Sequence, residues 1–185
     1  LRSSGESVAA ARALNRAGRF HLKLSLQQDA LATYREALRL TRQAPDPFTN
    51  VDSLNGLGLT FYEMSECGKA QAHLQKAIAL SEEHGYLAGK AEALLTLSSC
   101  QNYGDHALAL RTAQEGLALW QAVGNKRGIA DAYSSVGHYH LAQNNLAEST
   151  QSFEAALGLW RELNVANEQA VALINLGFIE YRRGA

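Results

Sequence analysis

The chain has 185 residues, 46% of them hydrophobic, with 17 basic and 18 acidic side chains and a net charge of −1. That balance lacks the strongly basic face that nucleic-acid binding demands and offers no attraction to an anionic membrane surface. No apolar run reaches the roughly 18 residues of a spanning helix, and Cys67 and Cys100, outside any CxxC motif or small disulfide framework, read as packing thiols of a reducing, cytoplasmic setting.

Proline is confined to Pro45 and Pro47 while Ala, Leu, Gln, Glu and Arg dominate, which makes the chain all-α. Apolar residues at offsets of three and four place a buried stripe on each predicted helix. The first helix, about 6–24, carries Leu14, Ala17, Gly18 and His21; the second, 27–43, carries Ala30, Tyr34, Ala37 and Leu40 and is stopped by Pro45. The third, 48–65, has Leu54, Leu57, Gly58 and Phe61, and the fourth, 68–84, has Ala70, Leu74, Ala77 and Leu80. The fifth, 88–102, has Leu94, Leu97 and Ser98; the sixth, 105–122, has Ala109, Ala113, Gly116 and Leu119. The seventh, 127–143, has Tyr133, Val136 and Gly137, the eighth, 146–163, has Ser149, Phe153, Ala156 and Leu159, and the ninth, 167–183, has Leu173, Leu176 and Gly177. Gly85 and Gly124 end the fourth and sixth helices where only glycine enters the left-handed region cheaply. The loops are short and polar.

Gly18, Gly58, Ser98, Gly137 and Gly177 follow one another at steps of 40, 40, 39 and 40 residues, so the chain is an array of helical hairpins. The units run at about 11–50, 51–90, 91–129 and 130–169, with a half unit at 170–185. Small residues in both helices of a hairpin let the backbones approach closely. The third unit is one residue short, with Ser98 for the usual glycine, Gln101 for the aromatic, and Ala113 and Gly116 for larger packing residues. It is expected to be the loosest joint, and Gly116→Ala is expected to raise its melting temperature by removing the cost of a helical glycine, about 1 kcal/mol. Trp120 and Trp160, near the ends of second helices, are expected to cover the joints to the next hairpin. The ninth helix ends without a partner, so the chain is expected to be a fragment of a longer protein that self-associates through its uncapped C-terminal helix.

Leu54, Leu57, Gly58, Phe61, Ala70, Leu74 and Ala77, with Tyr133, Gly137, Phe153 and Ala156, carry a pattern that resembles the tetratricopeptide repeat, in particular the longer variant of about 40 residues seen in bacterial multidomain signalling proteins. The resemblance covers essentially the whole chain. It implies a right-handed α-α superhelix, a solenoid of about nine helices forming a single array over residues 1–185. In such signalling proteins similar arrays sit beside DNA-binding regulators, cyclases, ATPases or caspase-like protease domains. Ligands of the family lie in the concave groove lined by first helices.

Mapped through that resemblance, the groove residues are Arg12, Asn15, Arg16, Arg19 and Lys23 in the first unit and Asp52, Asn55, Tyr62 and Glu63 in the second. Glu92 and Tyr103 follow in the third, and Asp131 and His138 in the fourth. Arg12, Arg16, Arg19 and Lys23 are spaced by four, three and four, a basic stripe on one helix face. The row then changes sign at Asp52, Glu92 and Asp131. This reads as a groove whose N-terminal end prefers an acidic segment and whose middle prefers a basic one. Asn15 and Asn55, one unit apart, have amides able to hold an extended ligand backbone. No histidine pair has the i, i+4 spacing of a helical metal site, His21 and His140 occupy an aromatic packing position, and no GxSxG elbow, P-loop or GxGxxG appears. The expectation is a non-catalytic scaffold with no catalytic residue, metal or cofactor, binding a protein or peptide and neither nucleic acid nor membrane. The alternative is a regulatory sensor array that relays ligand binding to an effector domain of a larger signalling protein.

Overall fold

The computed structural model describes residues 2–184, with side chains from Gly5 onward. Among them lie nine α-helices and no strand: α1 (Arg2–Lys23), α2 (Gln27–Gln43), α3 (Pro47–Glu63), α4 (Cys67–His84), α5 (Leu87–Gln101), α6 (His106–Val123), α7 (Lys126–Ala142), α8 (Leu146–Glu162) and α9 (Ala166–Gly184). The predicted boundaries agree closely except at the start of α1, which runs through Gly5 instead of beginning after it. The chain divides into two compact units, Leu1–Cys100 and Gln101–Ala185, a division that falls inside the irregular third repeat.

In the first unit α1 pairs with α2 and α3 with α4. Both hairpins close through one turn design. Ser25 and Ser65 adopt left-handed conformations with φ of 57° and 62°, and the next residues, Leu26 and Glu66, each donate from their backbone N to a carbonyl five residues back, His21 and Phe61, at 2.8 Å. This ties the end of each first helix to the start of its second and satisfies carbonyls that a helix end leaves unpaired. Between repeats the role passes to Gly85, left-handed at φ 66°.

The close approach of helices is carried by glycine against a large partner. A Cβ added to Gly18 would come within 2.6 Å of the Tyr34 ring, and one added to Gly58 within 2.5 Å of Leu74 Cδ2. Tyr34 also meets the next hairpin: a Cβ at Gly56 of α3 would overlap three atoms of the same ring. The Tyr34 ring therefore fills a slot bounded by two glycine backbones, and it is fully buried in a core with Val51, Leu57, Phe61 and Leu74. His21, at the aromatic packing position, is half-buried, and its Nδ1 lies 3.2 Å from Thr33 Oγ1.

The second unit repeats the scheme with softer contacts. Phe153 of α8 faces Gly137 of α7, where a Cβ would stand 3.1 Å from the ring, and Ser149 donates to the Gly137 carbonyl at 2.8 Å. The α7–α8 turn places Asn144 at φ 62°, with Asn145 donating to the His140 carbonyl at 2.9 Å, the same turn as at Ser25 and Ser65. Side-chain caps start α6 and α7: Asp105 accepts from Leu108 N and Asn125 from Gly128 N. Trp120 of α6 lies over Gly128 of α7, where a Cβ would reach its Cε2 at 2.6 Å, and Trp160 is buried against Ala130 and Ala156 beside Val165, which leads into α9. Both tryptophans thus cover joints, as their position suggested. Gly116 is buried in α6. In α9 Ala172 and Ile179 are buried, whereas Leu173, Ile174, Phe178 and Tyr181 are exposed and open space surrounds Gly177.

Candidate functional site

Of the groove residues expected from sequence, Tyr103, Asp131 and His138 belong to the second unit and the rest to the first. Within the first unit, α1 and α3 face each other along a cleft of about 260 Å³ lined by Arg12, Asn15, Arg16, Arg19, Phe48, Thr49 and Asp52. Spacing of three and four along α1 places Arg12, Arg16 and Arg19 on the cleft side, with the buried Asn15 at its floor. A wider hollow of about 860 Å³ adjoins it, between the N-terminal half of α1 and Ala44, Pro45 and Asp46.

The side chains of the cleft differ in what holds them. Arg12 donates to Asp46 Oδ2 at 2.8 Å and to Thr49 Oγ1 at 3.1 Å, and Thr49 Oγ1 itself donates to Asp46. Partial burial works against the Asp46 carboxylate, but the bonds from Thr49 and Arg12 outweigh it and hold that carboxyl below its ordinary range. Arg19 reaches past α3 to α5, where its guanidinium stands 3.8 Å from Glu92, and that carboxylate holds the Arg19 proton more tightly than usual. Asp52 accepts from Tyr86 Oη at 3.1 Å; enclosure by the surrounding protein pushes its carboxyl up, against the pull of Tyr86 and Arg19. Phe48 stacks edge-on against Tyr86 with ring centroids 5.1 Å apart. Arg16 is exposed, and among the described residues no carboxylate pairs with it. Lys23 places its ammonium 5.9 Å from the Phe20 ring.

Asn15 and Asn55 have a different place from the one expected. They are only 4% and 2% exposed. Asn15 Nδ2 donates to the Thr49 carbonyl at 3.1 Å and its Oδ1 accepts from Ser53 Oγ at 2.8 Å. Asn55 Nδ2 donates to the Gly89 carbonyl at 2.8 Å, while its Oδ1 is buried with no hydrogen-bond partner. Each asparagine therefore staples its first helix to the first turn of the next, and neither turns its amide toward solvent. Tyr62 packs against the first unit's core, and Glu63 is exposed, its carboxyl nudged upward by partial enclosure.

In the second unit, Asp131 is exposed but set in a dense surround that, helped by Glu168 and opposed by Arg127, pushes its carboxyl up to about 6. His138 stacks edge-on against Phe153 at 4.9 Å, and the protein around it lowers its basicity. Tyr103 is exposed at the end of the third first-helix.

Phe48, Thr49, Asp46 and Tyr86 were not foreseen. They precede or open first helices, outside the repeat's apolar stripe. Asp46 and Thr49, spaced by three around the Pro47 helix start, carried the legible hint of a polar cluster at a helix entry. Among the described residues no group of three or more His, Cys, Asp or Glu side chains is arranged to hold a metal, and no helix is long and apolar enough to cross a membrane.

Fold and site together define a helical-repeat protein, in whose first unit α1 lies against α3 and lines a charged cleft with it. Models described as tetratricopeptide repeat match residues 9–83 and 129–167. The chain belongs to the tetratricopeptide repeat family. No curated protein matches the sequence significantly. Among solved structures, BtubC from P. vanneervenii superposes with a TM-score of 0.76 at 17% identity, covering 99% of this chain and 84% of that one. A Rap protein complexed with competence and sporulation factor gives 0.82 at 17% identity over 92% of this chain and 48% of that one. A signal transduction ATPase with numerous domains and a tetratricopeptide repeat sensor, from Pyrococcus horikoshii, gives 0.78 at 16% identity over 93% of this chain and 26% of that one. The chain thus spans about half of the Rap protein and about a quarter of the ATPase. At these identities the likeness is one of fold.

Proposed function

We propose that the chain is a non-catalytic protein-interaction scaffold and that the cleft between α1 and α3 binds an acidic segment of a partner protein. The observation that carries this reading is Arg16, an exposed guanidinium without a carboxylate partner among the described residues, set between Arg12 and Arg19 in a cleft of about 260 Å³ walled by Phe48. A guanidinium presents a fork of donors that matches a carboxylate. Arg12, held by Asp46 and Thr49, is already ordered, so its contribution costs little side-chain entropy on binding. The test is a pull-down followed by titration with wild type and the Arg16→Glu/Arg19→Glu double variant. The wild type should capture partners whose binding weakens with salt, and the reversal should lose both the affinity and the salt dependence. Equal capture and equal salt response by the two proteins would discard the cleft.

A second reading, a sensor array controlling an attached effector domain, draws support from one ion pair. Arg19 of α1 is tied to Glu92 of α5 across the intervening α3. An acidic ligand that takes Arg19 releases this tie between the first and third first-helices, and ligand binding then alters how they stack. The tie is long and solvent-exposed, hence weak. Hydrogen exchange in α5 that rises when ligand occupies the cleft would favour the sensor; unchanged exchange would favour the plain scaffold.

A further inference from the structure

Two free thiols sit where successive repeats meet. Cys67 is the first residue of α4, and Cys100, thirty-three residues on, lies in the last turn of α5. The repeat brings these two places together where it recurs. In the second unit Gln143, at the end of α7, donates at 3.0 Å to the carbonyl of His106, which opens α6. Arg183, at the end of α9, donates at 3.3 Å to the carbonyl of Leu146, which opens α8. The end of a first helix thus lies against the start of the preceding hairpin's second helix, and in the first unit that junction holds both cysteines.

The pair is in contact. Cys67 packs against the core cluster that contains Cys100, Phe61 and Leu74, and the Cys100 thiol donates a hydrogen bond to the Cys67 sulfur. Their surroundings differ. Cys67 is half-buried and Cys100 is only 4% exposed, so a small oxidant in solution reaches the first and not the second. Burial, with the bond to Cys67, pushes the Cys100 thiol up to about 12 and leaves it protonated and inert by itself. An accessible thiol backed by a buried one is the arrangement of a sensing and a resolving cysteine. The backbone before Cys67 is held by the closed α3–α4 turn, where Glu66 donates to the Phe61 carbonyl at 2.8 Å. Bond formation then asks the two sulfurs to close from hydrogen-bond contact to about 2 Å.

We propose that Cys67 and Cys100 form a peroxide-sensitive thiol pair, whose oxidation to a disulfide ties the end of α5 to the start of α4. The Cys67 sulfur attacks hydrogen peroxide and becomes a sulfenic acid, releasing one water. The Cys100 sulfur displaces hydroxide from that sulfenic acid, and the hydroxide leaves as water with the Cys100 proton. Two thiols and one peroxide give one disulfide and two waters, and a thiol reductant returns the pair to its starting state. The bond closes a loop through α4 and α5. It fixes the last turn of α5 directly before the α5–α6 turn, where Gly104 and Asp105 both donate to the Gln101 carbonyl.

The test uses the reduced 185-residue chain, exposed to hydrogen peroxide, unfolded in N-ethylmaleimide and weighed intact. The wild type should lose two hydrogens and take up no maleimide. Trypsin, which cuts after Lys and Arg, should release residues 43–69 joined to residues 91–111. With dimedone present, Cys100→Ala should accumulate the Cys67 sulfenic acid, whereas Cys67→Ser should take up no dimedone. Two further measurements need no variant. In glutathione buffers the folded chain should stand about thirtyfold or more further toward the disulfide than the urea-unfolded chain, and the oxidised protein should melt roughly 4–8 °C above the reduced one. None of these readouts involves the α1–α3 cleft, so its failure and failure of this pair are distinguishable. The proposal is overturned if peroxide leaves Cys100 free for maleimide, if the disulfide joins two chains, or if folded and unfolded chains are equally oxidised in the same buffer. It is equally overturned if Cys100 in Cys67→Ser reacts with peroxide as fast as Cys67 does in the wild type, or if oxidation does not raise the melting temperature.

Discussion

Replacing helical glycines one at a time by alanine gives a graded reading of how tightly the hairpins pack. Propensity alone favours alanine by about 1 kcal/mol at an interior helical site. A Cβ at Gly177 or Gly158 would meet nothing within 4 Å, so each substitution should realise that gain and raise the melting temperature by roughly 2–4 °C. At Gly137 the Cβ stands 3.1 Å from three atoms of the Phe153 ring; a shift of a few tenths of an ångström offsets the gain, and the net change should lie within about 1 kcal/mol of zero. At Gly58 the Cβ would lie 2.5 and 2.6 Å from Cδ2 and Cγ of Leu74, a fully buried side chain that can rotate but has no vacant space to enter. Overpacking then exceeds propensity and about 1 kcal/mol is lost. Gly56→Ala should be the worst, because Tyr34 cannot yield: its ring is overlapped on the α3 side and backed by Gly18 on the α1 side. The ring must leave its slot, at a net cost of about 2–3 kcal/mol and a fall of roughly 5–10 °C. Thermal and urea unfolding followed at 222 nm would rank the variants, Gly177→Ala highest and Gly56→Ala lowest. A Gly56→Ala protein that melts at or above the wild type would refute the glycine-slot account of hairpin stacking.

Asn15→Ala should cost about 1–2 kcal/mol in urea unfolding, since it strips a donor from the Thr49 carbonyl and an acceptor from Ser53, whereas Asn55→Ala should cost only about 0.5–1 kcal/mol because the variant also removes an unpaired buried oxygen. Iodoacetamide under native conditions should label Cys67 and spare Cys100, whose thiol is pushed up to about 12 by burial and by its bond with Cys67; equal labelling in mass spectra would contradict that burial. The folded chain holds the Asp131 proton more tightly than the unfolded chain does, so the wild type should lose stability as pH rises from the ordinary carboxylate range through about 6, then level off. Asp131→Asn lacks that loss and should melt roughly 1–2 °C higher at pH 7.5 but not at pH 4, a small effect because the side chain is exposed to solvent; a difference independent of pH would point to another cause.

The hairpin interiors were legible because their determinants recur: Gly18 with Tyr34, Gly58 with Leu74 and Gly137 with Phe153 are each sixteen residues apart, and a helical stripe with a small residue opposite a large one has one obvious packing. The turns were legible only where glycine marks them, at Gly85 and Gly124. Ser25 and Ser65 carry the same left-handed geometry on a residue that does not advertise it, and there the closing bonds to His21 and Phe61 hold the conformation. Asn15 and Asn55 were misread for a related reason. An asparagine on a first helix looks solvent-facing until its partner, a carbonyl 34 residues further on, is brought beside it by the fold.

The changing sign of the row Arg12, Asp52, Glu92 and Asp131 has, in the first unit, an internal explanation. Arg12 is taken up by Asp46 and Thr49, Arg19 by Glu92, and Asp52 by Tyr86. Opposite charges on successive first helices thus serve one another before they serve a ligand, and a partner must compete for them. Competition is cheap at the exposed, 3.8 Å Arg19–Glu92 pair and dear at Arg12, whose bond at 2.8 Å reaches a mostly enclosed carboxylate. Arg16 needs no such exchange. Recognition in the cleft should therefore begin at Arg16, recruit Arg19 second and leave Arg12 as a fixed wall. Arg16→Gln should accordingly weaken an acidic partner more than Arg12→Gln does, and Arg12→Gln should instead lower stability by leaving Asp46 without its cation.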